Sequence, residues 1–151
     1  MFERSLRIRD FHSEDLDALH AIDRLCFPVD IAFSRRYLLC CLNQTGSLTR
    51  IAELPGGIAG FILARIENNR RAHLLTLDVV PASRRHGIGL ALMEDVHRIL
   101  KQRKITATVL EVGTGNFPAQ CLYERLHYRY METLPGYYNG KEDAYRMLRL
   151  I

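Results

Sequence analysis

Apolar residues alternate or recur at helical spacing in the first third of the chain, and these patterns predict its elements. Apolar and polar residues alternate from Ser5 to Phe11, which predicts a strand. A capping serine and two acidic residues then predict a helix from Ser13 to about Leu25. Phe27-Pro28 ends this helix, and apolar residues return at helical spacing from Phe33 to Leu42. The pattern therefore predicts one strand followed by two helices.

Three β-rich runs come next, and short links of turn-forming residues join them. The runs are Leu48 to Leu54, Ile58 to Ile66 and Ala72 to Val80. The links contain Pro55-Gly56-Gly57 and Glu67-Asn68-Asn69-Arg70, and links of this kind join neighbouring antiparallel strands. We therefore expect an antiparallel meander.

The period changes after Pro81, where apolar residues form the stripe of an amphipathic helix. These residues are Ile88, Leu92, Val96, Ile99 and Leu100. The later runs predict a strand from Ile105 to Val112, a helix from Asn116 to Leu126 and, from Tyr128 to Ile151, two strands around Gly136 to Asp143. The fold class is then α+β, with about four helices flanking a mixed, mostly antiparallel central sheet of about seven strands. No linker divides the chain, so we expect one domain over residues 1–151.

The composition fits a folded domain with a mildly basic surface. Apolar residues make up 48% of the 151 residues, and the 25% that are charged are scattered along the chain. A formal net charge of +4 fits a nucleic-acid-binding protein, and it equally fits an enzyme for a polyanionic cofactor. The sequence contains no nucleic-acid-binding motif, so we expect no direct contact with nucleic acid.

Cysteine use and hydropathy predict a cytoplasmic protein without a metal. The four cysteines form no C-x-x-C pair and have no histidine at zinc-finger spacing. They fit reduced thiols, and we expect Cys121 to be a small buried residue. The N-terminus is charged and no run of about 18 apolar residues occurs, so neither secretion nor membrane insertion is expected.

The segment Val79 to Gly89, V-V-P-A-S-R-R-H-G-I-G, joins a predicted strand to a predicted helix. Free backbone N–H groups and the positive end of the helix dipole meet there, which favours a phosphate. Gly87 and Gly89 lack a Cβ, so they allow positive φ and a close approach of phosphate oxygens. Arg84 and Arg85 add charged donors. Taken alone, the same pattern also fits an ordinary turn that caps a helix.

The stretch Leu77 to Leu92, L-D-V-V-P-A-S-R-R-H-G-I-G-L-A-L, resembles the signature V-x-P-x-x-[QR]-x-x-G-[IL]-G-x-x-L of the GNAT superfamily of N-acetyltransferases. The predicted order of elements is also similar to the GNAT fold. The resemblance implies acetyl-CoA as the acyl donor, with the main chain of Leu77, Asp78 and Val79 pairing with its pantetheine arm. The pyrophosphate site that it implies comprises Arg84, Arg85, His86, Gly87, Ile88, Gly89 and Leu90.

A second set of motifs is more specific. It comprises L-E-V-G-T-G-N at Leu110 to Asn116, A-x-x-L-Y-E-R-L at Ala119 to Leu126 and Y-Y-N-G-K-E-D-A-Y-R-M at Tyr137 to Met147. These motifs resemble the bacterial ribosomal-protein-alanine N-acetyltransferases and the archaeal N-terminal acetyltransferases. The resemblance implies a protein N-terminus or peptide as acceptor, held by Tyr137 and Tyr138. It also implies a cofactor contact for Asn116, which suits a helix cap as well. We expect Phe27, in a segment without a matching motif, to shape the acceptor groove.

Acetyl transfer to an amine requires a neutral nucleophile, stabilisation of an oxyanion and a proton for the departing thiolate. Glu111, near the end of a predicted strand, is the candidate general base. Tyr123, a phenol with an ordinary pKa of about 10, is the candidate general acid. A backbone N–H near Val79 is the candidate oxyanion donor. From the residues alone, Glu111 also fits a surface position and Tyr123 a core aromatic, and the resemblance favours the catalytic roles.

Several positions depart from the motifs or carry no motif. Gly113 stands where the alanine acetyltransferases usually have arginine, which weakens any inference about the acceptor that rests on that arginine. His127 replaces a helix-ending glycine, and we expect it in a left-handed conformation. The histidines that we expect at the surface are His12, His20, His73, His86 and His97.

Two other functions remain compatible with the sequence. A GNAT enzyme could act on a small amine or a lysine side chain, because the groove around Phe27 matches no motif. The chain could also be a noncatalytic acyl-CoA-binding module, although it retains both Glu111 and Tyr123. We expect a monomer or a weak homodimer.

Overall fold

The computed structural model describes residues 5–151, and their elements follow the predicted order. After strand β1 at Arg7–Asp10 come a 3₁₀ turn at Ser13–Asp15, helix α1 at Leu16–Cys26 and helix α2 at Arg35–Asn43. The meander consists of β2 at Ser47–Leu54, β3 at Gly57–Ile66 and β4 at Arg71–Val79. A second 3₁₀ turn at Pro81–Ser83 precedes α3 at Ile88–Gln102. The remaining elements are β5 at Ala107–Gly113, α4 at Phe117–Arg125, β6 at Arg129–Tyr138 and β7 at Glu142–Leu150.

Local hydrogen bonds explain where element boundaries differ from the prediction. Helix α2 begins later than predicted, because the Ser34 hydroxyl accepts a hydrogen bond from the Tyr37 N–H at 3.1 Å and caps the helix there. Strand β5 also begins later than predicted, since the Ile105 N–H donates to the Leu100 carbonyl at 3.0 Å and closes α3. The element types are unchanged, and only the ends move.

The seven strands form one sheet in the order β1-β2-β3-β4-β5-β7-β6. Neighbouring strands run antiparallel, which confirms the meander, except that β4 and β5 run parallel. Helix α3 makes the crossover connection that a parallel pair requires. The predicted α+β fold, with a mixed and mostly antiparallel sheet, is confirmed.

Helices cover both faces of the sheet. Helix α3 packs on one face through Leu92 and Val96, which are fully buried. Helices α1 and α2 cover the other face through Leu19 and Leu38, which pack with Phe61 of β3. Burial of each such side chain contributes roughly 1.5–3 kcal/mol. Both helical layers therefore hold the sheet in place.

Strands β4 and β5 separate in the middle of the sheet. The last residue pair between them is Leu74 with Leu110. Beyond it, β4 continues to Val79 along β3, and β5 continues to Gly113 along β7. The register of the β3–β4 pair shifts beside Leu74, and such a bulge bends a strand. The two strands leave a cleft between them, and Glu111 is the first residue of β5 beyond the last pair.

Two further predictions concern the membrane and Cys121. Within residues 5–151, no helix is long and apolar enough to cross a membrane. Cys121 is exposed rather than buried, because α4 turns Tyr123 toward the core and places Cys121 on its outer side. The expectation that Cys121 is a small core residue is wrong.

Candidate functional site

A cleft of about 1330 Å³ opens where β4 and β5 separate. Its walls also include the turn before α3, the start of α4, the segment between α1 and α2, and the β6–β7 hairpin. The predicted cofactor residues that line it are Leu77, Val79, Arg84, Arg85, Gly87, Ile88, Gly89, Leu90 and Asn116. The other predicted residues that line it are Glu111, Tyr123, Phe27, Tyr137 and Tyr138. Residues from distant parts of the sequence therefore meet in one cleft.

Two predicted cofactor residues lie apart from the cleft wall. Asp78 is fully buried and its carboxyl accepts a hydrogen bond from the Thr76 hydroxyl at 2.5 Å, so its main chain is the part that can face a cofactor. His86 is exposed in the turn, and its Nδ1 lies 3.3 Å from the Ser83 carbonyl oxygen. The side chains of both residues are thus directed to protein groups rather than into the cleft.

The turn before α3 has the backbone of an anion site. Arg85 and Gly87 adopt left-handed φ angles of 66° and 79°. Consecutive N–H groups in such a turn converge at the positive end of the following helix. Gly89, in contrast, is an ordinary helical residue, where a Cβ would meet Leu122 and Leu77 at 3.5 and 3.7 Å. The expectation of positive φ is therefore met by Gly87 and is wrong for Gly89.

The main chain of β4 presents Val79 to the cleft. The Val80 N–H donates to the Ala59 carbonyl at 2.8 Å within the sheet. Successive N–H groups of a strand point to opposite sides, so the N–H and carbonyl of Val79 point away from β3, toward the gap. The Val79 carbonyl accepts from the Arg84 Nε at 3.0 Å and from the Cys26 thiol at 3.4 Å. Arg84 and Cys26 therefore border the strand edge at the mouth of the gap.

Glu111 is held in one orientation by three side chains. Its own side chain is 5% exposed, and its Oε1 lies 2.6 Å from the His73 Nε2 and 3.2 Å from the Tyr137 hydroxyl. Its Oε2 accepts from the Arg146 Nε at 3.0 Å. Burial acts to raise the pKa of Glu111, but hydrogen bonds and charges from His73 and Arg146 outweigh burial and lower that pKa. Glu111 is therefore an ionised carboxylate at neutral pH.

Two histidines expected at the surface have partners inside the protein. His73 of β4 contacts Glu111 and is mostly covered. His97 of α3 is buried, with its Nε2 2.7 Å from the Tyr128 hydroxyl and its Nδ1 2.9 Å from an Arg149 nitrogen. The expectation of a surface position is wrong for both, because residues far away in the sequence supply their partners.

Tyr123 of α4 borders the cleft and is 9% exposed. Its ring packs against that of Tyr128, with centroids 5.9 Å apart. Burial, and then the nearby Tyr128 and Asp78, raise the pKa of Tyr123, so its phenol keeps its proton. A buried, protonated hydroxyl at a cleft wall is suited to donate a hydrogen bond or a proton.

Helix α4 is capped at both ends around Tyr123. The Asn116 Oδ1 accepts from a backbone N–H of the first turn at 3.3 Å, which confirms the cap. At the other end, the His127 N–H donates to the Glu124 carbonyl at 3.0 Å and the Tyr128 N–H to the Tyr123 carbonyl at 2.9 Å. These paired bonds end helices at a left-handed residue. His127 has φ 68°, which confirms its predicted conformation.

The segment of residues 27–34 and the β6–β7 hairpin meet at the end of the cleft near Glu111. The Lys141 Nζ donates to the Asp30 Oδ2 at 2.9 Å, and the Asn139 amide donates to the Asp30 carbonyl. The rings of Tyr137 and Tyr138 meet edge to face at 4.9 Å beside this contact. Sequence motifs did not indicate the role of Asp30, because its partners lie at the other end of the chain.

The space beside Gly113 is filled by Glu142, the first residue of β7. A Cβ on Gly113 would lie 2.3 Å from the Glu142 Oε1. Both residues line the cleft, so the carboxylate occupies the direction that a side chain at position 113 would take. The departure from the arginine of the similar enzymes therefore places a carboxylate in this part of the wall.

Comparison with known families matches residues 16–128 to the acetyltransferase (GNAT) family, a range that includes the turn, Glu111 and Tyr123. The chain belongs to this family. It is therefore an acetyltransferase, and its acyl donor is acetyl-CoA. The cleft fits this donor, because the left-handed turn offers N–H groups to a pyrophosphate and the edge of β4 at Val79 offers main-chain groups to an amide-containing arm.

Known relatives resemble this GNAT acetyltransferase over nearly its whole length. An N-alpha-acetyltransferase of Saccharolobus solfataricus is 30% identical over 158 aligned positions, covering 97% of this chain and 93% of that protein. The ribosomal-protein-S18-alanine N-acetyltransferase from Escherichia coli superposes with a TM-score of 0.89 at 26% identity, covering 97% and 94% of the two chains. NAA60 of Arabidopsis thaliana, in complex with a bisubstrate analogue, gives a TM-score of 0.85 at 25% identity, covering 97% and 99%.

Proposed function

We propose that this GNAT acetyltransferase transfers acetyl directly to the α-amine of a protein N-terminus in the cytoplasm. The observation that carries the proposal is Glu111, a buried carboxylate that three side chains orient at the point where β4 and β5 separate. The names of the Saccharolobus solfataricus relative and of the Escherichia coli structure support an N-terminal acceptor. Acetyl-CoA supplies the activated thioester, and the residues of this chain orient the acceptor and move its protons.

Glu111 is the proposed general base. An ionised carboxylate has about four lone-pair sites, and His73, Tyr137 and Arg146 engage it through both oxygens. A free lone pair can accept the ammonium proton, directly or through a water. The imidazole of His73, in contact with the same carboxylate, holds it in position for this step.

The lowered pKa of Glu111 favours an α-amine over a lysine side chain as acceptor. An α-amine with a pKa of about 8 is roughly 10% neutral at pH 7, whereas a lysine with a pKa of about 10.4 is less than roughly 0.1% neutral. The difference corresponds to about 3 kcal/mol. A carboxylate whose pKa is lowered is a weak base, so it suits the amine that loses its proton more readily.

Tyr123 is the proposed general acid, because its phenol borders the cleft and keeps its proton. The Val79 N–H, directed into the gap, is the proposed donor to the negative charge that develops on the carbonyl oxygen. The turn around Gly87, with Arg84 and Arg85, is proposed to hold the pyrophosphate. Asn116 and the main chain of β4 are proposed to contact the rest of the donor.

The acceptor is proposed to enter between the 27–34 segment and the β6–β7 hairpin. Phe27, Tyr137 and Tyr138 line that end of the cleft, and the Tyr137 hydroxyl contacts the proposed base directly. A peptide N-terminus that enters there meets Glu111 before it reaches the donor strand. These three aromatic residues are therefore proposed to hold the first residues of the acceptor.

The acceptor class can be tested with purified protein, acetyl-CoA and three matched acceptors. These are a peptide with a free N-terminus, the same peptide with a blocked N-terminus and an internal lysine, and a panel of small amines. We expect acetylation of the free N-terminus alone. Preferred turnover of the blocked peptide or of a small amine would assign a different acceptor. Mass spectrometry of proteome N-termini with and without the enzyme then identifies the natural substrate.

The catalytic assignments can be tested with Glu111→Gln and Tyr123→Phe. We expect each substitution to lower kcat by about tenfold or more, because each removes a proton-transfer group. Glu94→Gln and Tyr130→Phe are matched controls, because both residues are exposed and lie outside the cleft wall. Turnover by both active-site variants at the rate of these controls would contradict the mechanism.

A further inference from the structure

Two neighbouring carboxyl groups are buried beside the cleft, and the proposed mechanism does not use them. Asp23 lies in the last part of α1 and Asp78 near the end of β4, and they are 1% and 0% exposed. The Asp23 Oδ2 accepts from the Phe33 N–H at 2.6 Å, and the Asp78 Oδ1 accepts from the Thr76 hydroxyl at 2.5 Å. Among residues 5–151, no donor reaches the Asp23 Oδ1 or the Asp78 Oδ2.

The Asp23 Oδ1 and the Asp78 Oδ2 are both buried without a donor, and they belong to neighbouring carboxyl groups that influence each other. Ionised carboxylates are acceptors only, so two such oxygens can satisfy each other only when the pair carries one proton. Burial, and then the contact with Asp23, raise the pKa of Asp78 well above its usual value, against smaller opposing effects of Thr76 and Arg84. Two more titratable side chains lie close to Asp78: Cys26, a thiol, and Tyr123, a phenol.

This pair joins two parts of the cleft wall. Asp23 binds the Phe33 N–H and thereby fixes the end of the 27–34 segment to α1. Asp78 belongs to the strand whose next residue, Val79, presents its main chain to the gap. The beginning of the segment is fixed to the same strand, because the Cys26 thiol donates to the Val79 carbonyl at 3.4 Å. The contact between Asp23 and Asp78 therefore sets the distance between the 27–34 segment and β4.

We propose that Asp23 and Asp78 are positioning residues that share one proton and thereby hold the 27–34 segment against β4. This inference rests on the proposed function only in taking that segment as part of the acceptor groove. When the proton passes to solvent, two adjacent carboxylates repel each other and the end of α1 moves away from β4. The acceptor groove is then open, and the acceptor KM rises more than kcat falls.

Asparagine substitutions preserve the contact between the two side chains but remove the proton that they share. In Asp78→Asn, the amide oxygen can accept from Thr76 while the NH₂ donates to the Asp23 Oδ1, so the contact persists at every pH. In Asp23→Asn, the amide oxygen can accept from the Phe33 N–H while the NH₂ donates to the Asp78 Oδ2. Asp17→Asn is a matched control, because Asp17 lies on the same helix and its ion pair with Arg35 is exposed.

The first experiment measures the acceptor KM from about pH 5 to about pH 9 for the wild type and the three variants, with one peptide for all. Titration of the peptide's own amine cancels in the ratio of wild-type to variant KM. We expect this ratio to rise by about threefold or more toward alkaline pH for Asp78→Asn and Asp23→Asn. For Asp17→Asn we expect a ratio that does not change with pH.

A second experiment needs neither an acceptor nor turnover. Hydrogen exchange of the 27–34 segment, compared at each pH between wild type and Asp78→Asn, reports whether the segment stays packed against β4. We expect the protection of the 27–34 segment against exchange to decline with rising pH in the wild type only. We also expect infrared spectra of the wild type to show a protonated carboxyl band that Asp78→Asn lacks. If no N-terminus is acetylated but these two results are obtained, the proposed function fails and the proton-sharing pair stands. Equal exchange at all pH values, or no protonated carboxyl band in the wild type, would overturn the inference.

Discussion

At the scale of single residues, the environment of Glu111 determines what it can do. The same carboxylate in solvent would be a free anion, but here donors from β4, β6 and β7 fix both of its oxygens. After burial, the hydrogen bond with His73 has the largest effect on the pKa of Glu111. The contribution of His73 can therefore be measured as a shift in the pH dependence of catalysis.

For His73→Leu we expect the acid limb of the kcat profile to move to higher pH. Without the histidine, burial is the main influence on Glu111, so its pKa rises and the base is protonated over a wider acid range. His73→Gln is the matched control, because a glutamine nitrogen can replace Nε2 as donor and should give a smaller shift. Profiles of kcat against pH for the three proteins make the comparison, and an unmoved acid limb in His73→Leu would argue against Glu111 as the base.

His127 offers a second prediction at this scale, on stability rather than on activity. Its φ of 68° is a left-handed conformation that costs a side chain about 1–2 kcal/mol relative to glycine. We expect His127→Gly to raise the free energy of unfolding by about 1 kcal/mol, measured by urea denaturation. Arg103→Gly, at the end of α3 with φ −86°, should bring no gain. A gain in Arg103→Gly equal to that in His127→Gly would mean that backbone strain at position 127 is not the cause.

At the scale of elements, the turn before α3 depends on one glycine. Gly87 has φ 79° and its Cβ direction is open, so the reason for glycine is the backbone conformation and not space. We expect Gly87→Ala to weaken coenzyme A binding by about tenfold, because the turn must either bear the strain or turn its N–H groups away. Calorimetric titration measures the effect. Gly56→Ala is the control, since a Cβ there also meets open space but without a positive φ, and equal affinities would contradict this role of the turn.

The elements themselves could be predicted from the sequence, because their signals are local. Apolar spacing, turn residues and caps each act over a few positions, and the order of all strands and helices in the described chain agrees with them. The caps at Asn116 and His127 were predictable for the same reason. The boundaries that moved, at α2 and β5, did so through single hydrogen bonds that apolar spacing does not reveal.

The arrangement of the site could be predicted only in part. Motifs identified Glu111, Tyr123 and the turn, and the structure places them around one cleft. The partners of these residues could not be predicted, because strand pairing brings His73 beside Glu111 and loop contacts bring Asp30 to the β6–β7 hairpin. Such contacts depend on the separation of β4 from β5, and the apolar pattern of neither strand indicates where that separation occurs.

At the scale of the whole molecule, a buried polar network joins α3 to β5, β7 and Tyr128, which follows the end of α4. An arginine can only donate, so the His97 Nδ1 that contacts Arg149 is an acceptor and its Nε2–H donates to the Tyr128 hydroxyl. The Tyr128 hydroxyl can then donate to the Thr108 Oγ at 2.7 Å. His97 is therefore neutral in the folded protein. Burial, and then the charge of Arg149, lower its pKa from 6.5 to about 4.

This network predicts how the fold responds to acid. The unfolded chain protonates His97 below about pH 6.5, whereas the folded protein resists until about pH 4, so stability is lost as the pH falls through that window. The slope of about 1.4 kcal/mol per pH unit gives a total of about 3 kcal/mol. We expect His97→Gln, which keeps a donor to Tyr128 but does not titrate, to remove this loss from denaturation curves. His20→Gln, on the accessible side of α1, should retain it, and an unchanged acid loss in His97→Gln would refute the assignment.

The separation of β4 from β5 also explains how the cleft can accept acceptors of different bulk while the position of Glu111 stays fixed. Beyond the pair Leu74 and Leu110 the two strands diverge, and Glu111 lies next to the point where they part. A small change in the angle between β4 and β5 displaces the ends of the strands most and the residues beside the last pair least. The outer cleft can therefore widen to admit acceptors of different bulk, while the carboxylate that must meet the amine hardly moves.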